Sequence, residues 1–428
     1  MTPQTEHLRT TLHRLADAGV PLPVDDDLWG RAQSARRRGQ ALAVAAVLVL
    51  VVSVGGAAAL WSLPEREART ASSEVVAGGA IPRVIADAPD DIEPTADLAV
   101  GRASAAFVSG DGDPVVVTAD DGVPHVLDLP SFGPDRAAFA LSPDGRRLAY
   151  QQGAESGTRL AVLDLESGRT TPLIVEGSTT LEIDGLSWSP GGNWVGWVAS
   201  AVADTPAWTG VHRVDGGEGS RAILAGNASS IAVADDGASA VGSVQGDVRL
   251  IPLHAEVGQI RRAAPGLAAG AFSPDGSLLA LGSGPGRGSS TLDAASREVL
   301  RHPFPDGTLG ESVVRPLGWV DDRIQLLLVQ PVDGSGAELV VTTPEVDDQS
   351  IWRRRVGSVE TSGVANSLSV AVDLVPDLDG TSSQELTHDF GATTPERDVS
   401  WLIGLGVAGA IAALMALRWL WRRLRTPL

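Results

Sequence analysis

The stretch Leu141-Ser142-Pro143-Asp144-Gly145, followed by Arg147-Leu148-Ala149-Tyr150, decides how this chain folds. A bulky apolar residue leads into Ser-Pro-Asp-Gly, and a short apolar strand follows. Asp-Gly between two apolar runs supplies the positive φ angles of a tight hairpin, and the proline fixes its entry. The pattern returns as W-S-P-G-G from Trp188 to Gly192 before Trp194-Val195-Gly196-Trp197, and as F-S-P-D-G from Phe272 to Gly276 before Leu278-Leu279-Ala280-Leu281. Looser copies run from Val108 to Gly112, Val233 to Gly237 and Trp319 to Arg323. The closing residues of the six copies are 33 to 47 positions apart, the period of propeller blades and similar arrays.

A further strand from Arg159 to Leu165 follows the second copy and ends in a turn, Glu166-Ser167-Gly168-Arg169. Four such strands per repeat, closed radially, leave only short and protected edges. These residues resemble the Pro-Asp-type repeats of TolB-like and WD-type β-propellers, over about Leu98 to Val359. The resemblance implies an all-β propeller; it implies no activity, because propellers host binding and catalysis alike. The segment from Asn366 to Val375 adds strand material beyond the sixth copy. It is expected to build a seventh blade, closed by a strand from before Leu98. About seven blades are therefore expected, with six as the alternative.

Two charge-free apolar runs bracket the repeats, from Ala41 to Leu60 and from Trp401 to Leu417. Each approaches the ~20 residues that cross a ~30 Å hydrocarbon core. Residues 41–61 and 400–418 are read as two transmembrane α-helices, one at each end. Arg31, Arg36, Arg37 and Arg38 precede the first, and Arg418, Arg422, Arg423 and Arg425 accompany the second. Arginine is retained on the cytoplasmic side, so both termini are expected in the cytoplasm and the middle outside it. Trp61, Trp401, Trp419 and Trp421 stand where interfacial aromatics belong. A cleaved signal peptide is the rival for the first run, with Ala57-Ala58-Ala59 as its cleavage site, but the 40 residues before it carry Asp25-Asp26-Asp27 and the run exceeds a signal core. The resulting plan is a cytosolic arm at 1–40, a linker at 62–97, the propeller at 98–376, a linker at 377–399 and a basic tail at 419–428. Within the first linker, Ile81-Pro82-Arg83-Val84-Ile85 reads as a strand or strap against the propeller.

Composition excludes several chemistries. The chain has no cysteine, so disulfides, thiolate metal sites and cysteine nucleophiles are ruled out. All 33 basic residues are arginine, which removes P-loop and Schiff-base lysines and suggests a GC-rich bacterial genome. With 53 Asp and Glu the formal net charge is −20, and the acidic excess lies between the two apolar runs. Such a domain disfavours nucleic acid and bare anionic lipid and favours cationic partners or divalent ions, with solubility as the plainer reading. The seven histidines are scattered without metal-ligand spacing. Asp377-Leu378-Asp379-Gly380 fails as a calcium loop, because Val375 and Leu386 occupy ligand positions. No G-x-S-x-G elbow is present. Gly404, Gly406 and Gly409 match a dinucleotide fingerprint in spelling only; with Gly55, Gly56 and Ala59 they read as small-residue helix-packing faces. No cofactor and no metal are expected.

Exposed Trp and Arg anchor interfaces, and Trp208 together with Trp352, Arg353, Arg354 and Arg355 lie off the repeat column. They form the candidate interaction surface. Trp188 and Trp319 occupy the column and are expected in the core, while one of Trp194 and Trp197 is expected to face out. Leu8, Leu12 and Leu15 fall on one face of a helix in the arm, too short to be stable alone, and form the candidate cytosolic docking stripe. The layout is similar to actinobacterial membrane proteins associated with sigma-factor regulation. The expected function is a non-catalytic, membrane-anchored extracytoplasmic propeller that binds a protein or ligand as a scaffold or sensor and signals through its arm. The expected partners are the membrane, a protein outside and a cytosolic regulator. The alternatives are a propeller-type carbohydrate-active enzyme, which needs carboxylates around the channel, an anti-sigma-factor-like regulator, and a TolB-like envelope scaffold.

Overall fold

The computed structural model describes residues 76–89, 91–132, 138–152, 159–174, 181–201, 207–224, 228–243, 247–254, 261–265, 268–285, 287–302, 311–343, 352–379, 381, 383–391 and part of 415–422. The expected arm, with Leu8, Leu12 and Leu15, and the span at 41–61 lie outside these residues, as does all of 400–418 except 415, 416 and 418. Among the described residues no helix is long and apolar enough to cross a membrane.

Six sheets form six blades. The first described strand, β1 (Val84–Ile85), belongs to the last blade. Blade 1 takes β2 (Ala103–Val108), β3 (Pro114–Thr118) and β4 (Pro124–Val126). Blade 2 takes β5 (Phe139–Leu141), β6 (Arg147–Gln152), β7 (Arg159–Asp164) and β8 (Thr170–Ile174). Blade 3 is β9 (Leu181–Trp188), β10 (Trp194–Ala201), β11 (Ala207–Arg213) and β12 (Gly219–Leu224). Blade 4 is β13 (Ala228–Val233), β14 (Ser239–Ser243), β15 (Asp247–Ile251) and β16 (Arg261–Pro265). Blade 5 is β17 (Ala268–Phe272), β18 (Leu278–Gly282), β19 (Ser289–Asp293) and β20 (Val299–His302). Blade 6 is β21 (Ser312–Trp319), β22 (Gln325–Pro331), β23 (Ala337–Thr342) and β24 (Arg353–Val359). A short helix, α1 (Ser362–Ser367), then leads to β25 (Ser369–Val370), which pairs with β2 as the innermost strand of blade 1.

The expected seventh blade is therefore absent: Ser369 and Val370 complete the first blade instead. The Val108 copy explains the miscount. It joins β2 to β3, the second and third strands of its blade, whereas the other five copies join a first strand to a second. A hairpin period cannot distinguish these positions, so blade 1 looked complete without a strand from the far end. The chain before Leu98 does not close the ring as expected; it adds an outermost fifth strand to blade 6, with β1 parallel to β24, Val84 opposite Ser358 and Ile85 opposite Val359. Past β1 the C-terminal segment lies alongside, with a bridge between Pro82 and His388 and with Leu386 buried. Two straps thus cover the outer edge of blade 6, where unpaired backbone groups would invite aggregation.

The repeat turn folds through its own side chains. Ser142 Oγ donates to Asp144 Oδ1 at 2.5 Å and accepts from the Arg147 amide at 2.9 Å, while the Gly145 amide returns to the Ser142 carbonyl at 2.9 Å. Ser273, Asp275 and Gly276 repeat these bonds in blade 5. Both glycines sit at φ +72°, which is why the last position of the motif is glycine. The carboxylate of Asp275 accepts from the Ser273 and Ser277 hydroxyls, and those bonds hold its pKa below the usual range.

The strands after the turns read as unbroken apolar runs because blades bury both faces against their neighbours. Val195, Trp197 and Ala199 pack toward blade 2, and Trp194 and Val198 toward blade 4. Trp194 and Trp197 are both buried, so neither faces out as expected. The column tryptophans are core, and each also ties two blades together: Trp188 Nε1 donates to the Ala140 carbonyl at 2.8 Å, and Trp319 Nε1 to the Ala271 carbonyl at 2.9 Å.

Candidate functional site

The innermost strands β25, β5, β9, β13, β17 and β21 surround a central channel of about 500 Å³. Its wall is mostly Ser, Ala, Gly and Pro with leucine, and Trp188 and Trp319 reach it. The charged side chains among its described residues are Asp184, Arg315 and Asp373. Two mouths follow from strand direction. One lies at the repeat turns, where Pro143, Pro190 and Pro274 line it. The other lies where each blade hands over to the next, beside α1, Asn366 and Ser367.

Asp373 belongs to the turn mouth, where its amide bonds the Pro143 carbonyl at 3.1 Å. Burial raises its carboxyl pKa, the neighbouring Asp144 raises it further, and Arg102 works in the other direction. Asp184 sits higher, four residues before Trp188, or roughly 13 Å of strand. A β-bulge puts it there: Gly185 is opposite Val198 and Ile183 opposite Ala199, so Asp184 falls in the shift of register between them and is exposed on the channel. Ser229 occupies the corresponding bulge of β13.

Arg315 lies on β21 at the α1 mouth. Its two terminal nitrogens donate to the carbonyls of Leu368 at 3.0 Å and Ala365 at 2.6 Å, the exposed end of α1. No carboxylate pairs with it among the described residues, and burial alone brings its pKa down to about 10. Among the described residues no group of three or more His, Asp or Glu is arranged to hold a metal ion.

The sequence candidates lie elsewhere. Trp208 is on β11 of blade 3, half-buried, with the Arg221 guanidinium 5.0 Å above its ring. Arg353, Arg354 and Arg355 begin β24 of blade 6, with Trp352 just before them, three blades away around the ring. They do not form one surface with Trp208. Trp352 packs on the core, Arg354 donates to the Gln384 carbonyl of the C-terminal strap, and Arg355 pairs with Glu338 at 3.0 Å. Arg315 and Asp184 were missed. The available signal was the column four residues before each bulky repeat residue, where Ala137, Asp184, Ser229, Ala268 and Arg315 stand. Only two of those five are charged, and both reach the channel.

No family model and no curated protein matches the chain. Among solved structures, TolB from Acinetobacter baumannii is 15% identical over 63% of this chain and 66% of that one, with a TM-score of 0.39. The chain thus spans just under two thirds of that protein's length. A putative TolB from Agrobacterium tumefaciens is 15% identical over 63% of this chain and 98% of that one, with a TM-score of 0.39. The periplasmic gluconolactonase PpgL of Pseudomonas aeruginosa is 17% identical over 60% and 81%, with a TM-score of 0.40. These are distant propeller likenesses, and the six-bladed fold rests on the order of strands in the chain's own sheets.

Proposed function

We propose that this protein is a non-catalytic binding scaffold, tethered to a membrane by both ends and displayed outside the cytoplasm. The observation that supports this is where the chain enters and leaves the propeller. The Val76 amide bonds the Asp120 carbonyl and the Ala80 amide bonds the Ala119 carbonyl, both at 2.9 Å. At the far end Phe390 packs on Gly122 so closely that a β-carbon there would lie 2.5 Å from its ring. Both ends therefore meet at one turn, 119–123, between β3 and β4. That turn lies on the same face as the repeat turns. The α1 mouth, with Arg315, opens on the opposite face. Chain ends that meet at one turn suit a domain anchored by both ends.

A glycosidase of the propeller kind needs two carboxylates about 5–10 Å apart. Asp184 and Asp373 stand at different levels of the channel, so binding is the better reading of this wall. Leu8, Leu12 and Leu15 extend the proposal to a cytosolic regulator; a partner profile unchanged by deleting residues 1–30 would remove that part.

The native absence of cysteine makes the test direct. Val332 is 56% exposed on the turn between β22 and β23, on the α1 face. Val332→Cys should react with a membrane-impermeant maleimide on intact cells, and Thr10→Cys only after permeabilisation. Labelling in the reverse order, or a chain recovered wholly in the soluble fraction, would overturn the reading. Crosslinking in native membranes, followed by purification, then identifies what the scaffold holds.

A further inference from the structure

The channel holds one cation among its described residues, and nothing in its wall neutralises it. The carbonyls that receive Arg315 belong to the last turn of α1, where a cation is favourable. Those two bonds explain why the side chain is held in place. They leave its charge without a counter-ion, and a guanidinium withdrawn from water recovers its desolvation cost when an anion meets it. Its remaining N–H groups have no acceptor among the described residues and are left to donate to a carboxylate.

Asp184 faces it at nearly the same level. Arg315 pairs with Leu328, three residues past the partner of Trp319. Gly185, next to Asp184, pairs with Val198, three residues past the partner of Trp188. Blades 3 and 6 are opposite in a ring of six. The two formal charges at this level thus stand on opposite walls. Asp184 also makes an interaction within the protein, so Arg315 is the anchor and a carboxylate oxygen of Asp184 is the second contact.

We propose that this level of the channel binds a small zwitterion, its carboxylate on the Arg315 guanidinium and its ammonium toward Asp184. The proposal rests on the binding-scaffold reading and gives it a ligand class. A volume of about 500 Å³ accommodates such a molecule, and the serines of the wall supply hydrogen bonds.

Three probes of equal length separate the charges: 5-aminovalerate, glutarate and 1,5-diaminopentane. The full chain in detergent is titrated with each to about 10 mM, where even a ~1 mM site fills, and read by calorimetry and by tryptophan fluorescence, since Trp188 and Trp319 reach the channel. The expected order is 5-aminovalerate, then glutarate, then diaminopentane, the first and last differing by at least ~10-fold. Arg315→Gln should weaken 5-aminovalerate by ~10-fold or more. Because Arg315 also holds α1, a second variant is needed: Ser229→Phe fills the channel at the same level without touching α1, and should block all binding. The proposal is overturned by diaminopentane binding as tightly as 5-aminovalerate, by binding that neither variant changes, or by no binding of any probe. The scaffold reading fails separately, on the labelling pattern.

Discussion

Two glycines with the same motif and the same backbone angle offer a clean test of how the ring closes. Gly145 and Gly276 each end a Ser-Pro-Asp-Gly turn at φ +72°. Around Gly276 a new β-carbon meets nothing within 4 Å. At Gly145 it would lie 2.0 Å from the Ala103 carbonyl oxygen and 3.1 Å from the Ala371 β-carbon, in the seam where β2 and the segment after β25 meet blade 2. Gly276→Ala should therefore cost only left-handed strain, about 1–2 kcal/mol. Gly145→Ala carries the same strain and must also push β2 away. It then loses the 2.8 Å bond from the Ala103 amide to the Gly145 carbonyl, worth about 1 kcal/mol, and adds about 1–3 kcal/mol of overpacking. The expected total is about 3–6 kcal/mol. At roughly 2 °C per kcal/mol for a domain of this size, the melting temperatures should fall by about 2–4 °C and about 6–12 °C respectively. Tryptophan fluorescence of the full chain on heating reads both. Equal shifts would show that the seam of blades 1 and 2 is not closed by these contacts, and would sink the account of β25 as an inner strand.

Three further outcomes follow from named contacts. Trp188→Phe should cost about 2 kcal/mol, because the Ala140 carbonyl loses its buried donor, whereas Trp208→Phe should cost under ~1 kcal/mol; equal melting shifts would refute the inter-blade role. Leu386→Ala, in the C-terminal strap and 3% exposed, should cost about 2–4 kcal/mol and open 383–391 to protease before the blades melt; unchanged cleavage would contradict the strap. Asp373→Asn should raise stability at pH 7. The folded pKa of Asp373 lies above its unfolded value, so its charged form destabilises the fold above the folded pKa. That cost disappears as pH falls toward ~4, and the advantage of the variant should disappear with it.

The blades were legible because their turns use local chemistry. Ser142, Asp144 and Gly145 bond among themselves, and any chain carrying them between apolar strands makes that hairpin. The column tryptophans were legible for a related reason: a large residue at a fixed distance from the turn meets the same neighbour in every blade. Closure was not. Ser109 and Gly112 close a turn with the same return bond, at 3.0 Å, and φ +93° at Gly112. Only its place in the sheet shows that it joins different strands. Two-residue strands such as β1 and β25 carry no period at all; their positions are set by partners hundreds of residues away.

The channel was illegible for a deeper reason. A repeat makes equivalent positions alike, so structure is read from what recurs. A binding site in a ring is made by what does not recur, one residue from each blade at a common level. Arg315 and Asp184 break a column otherwise filled by Ala and Ser, and each break has a structural consequence. The bulge at Asp184 spends a cross-strand pair to turn a carboxylate into the channel. Arg315 gives up hydration for two carbonyls and no counter-ion among the described residues. The bulge recurs at Ser229 of β13, so the added cost lies in the charges themselves, and these stand on opposite walls of one cavity. In a domain whose remaining repeats are so uniform, that cost is accounted for if the level is occupied.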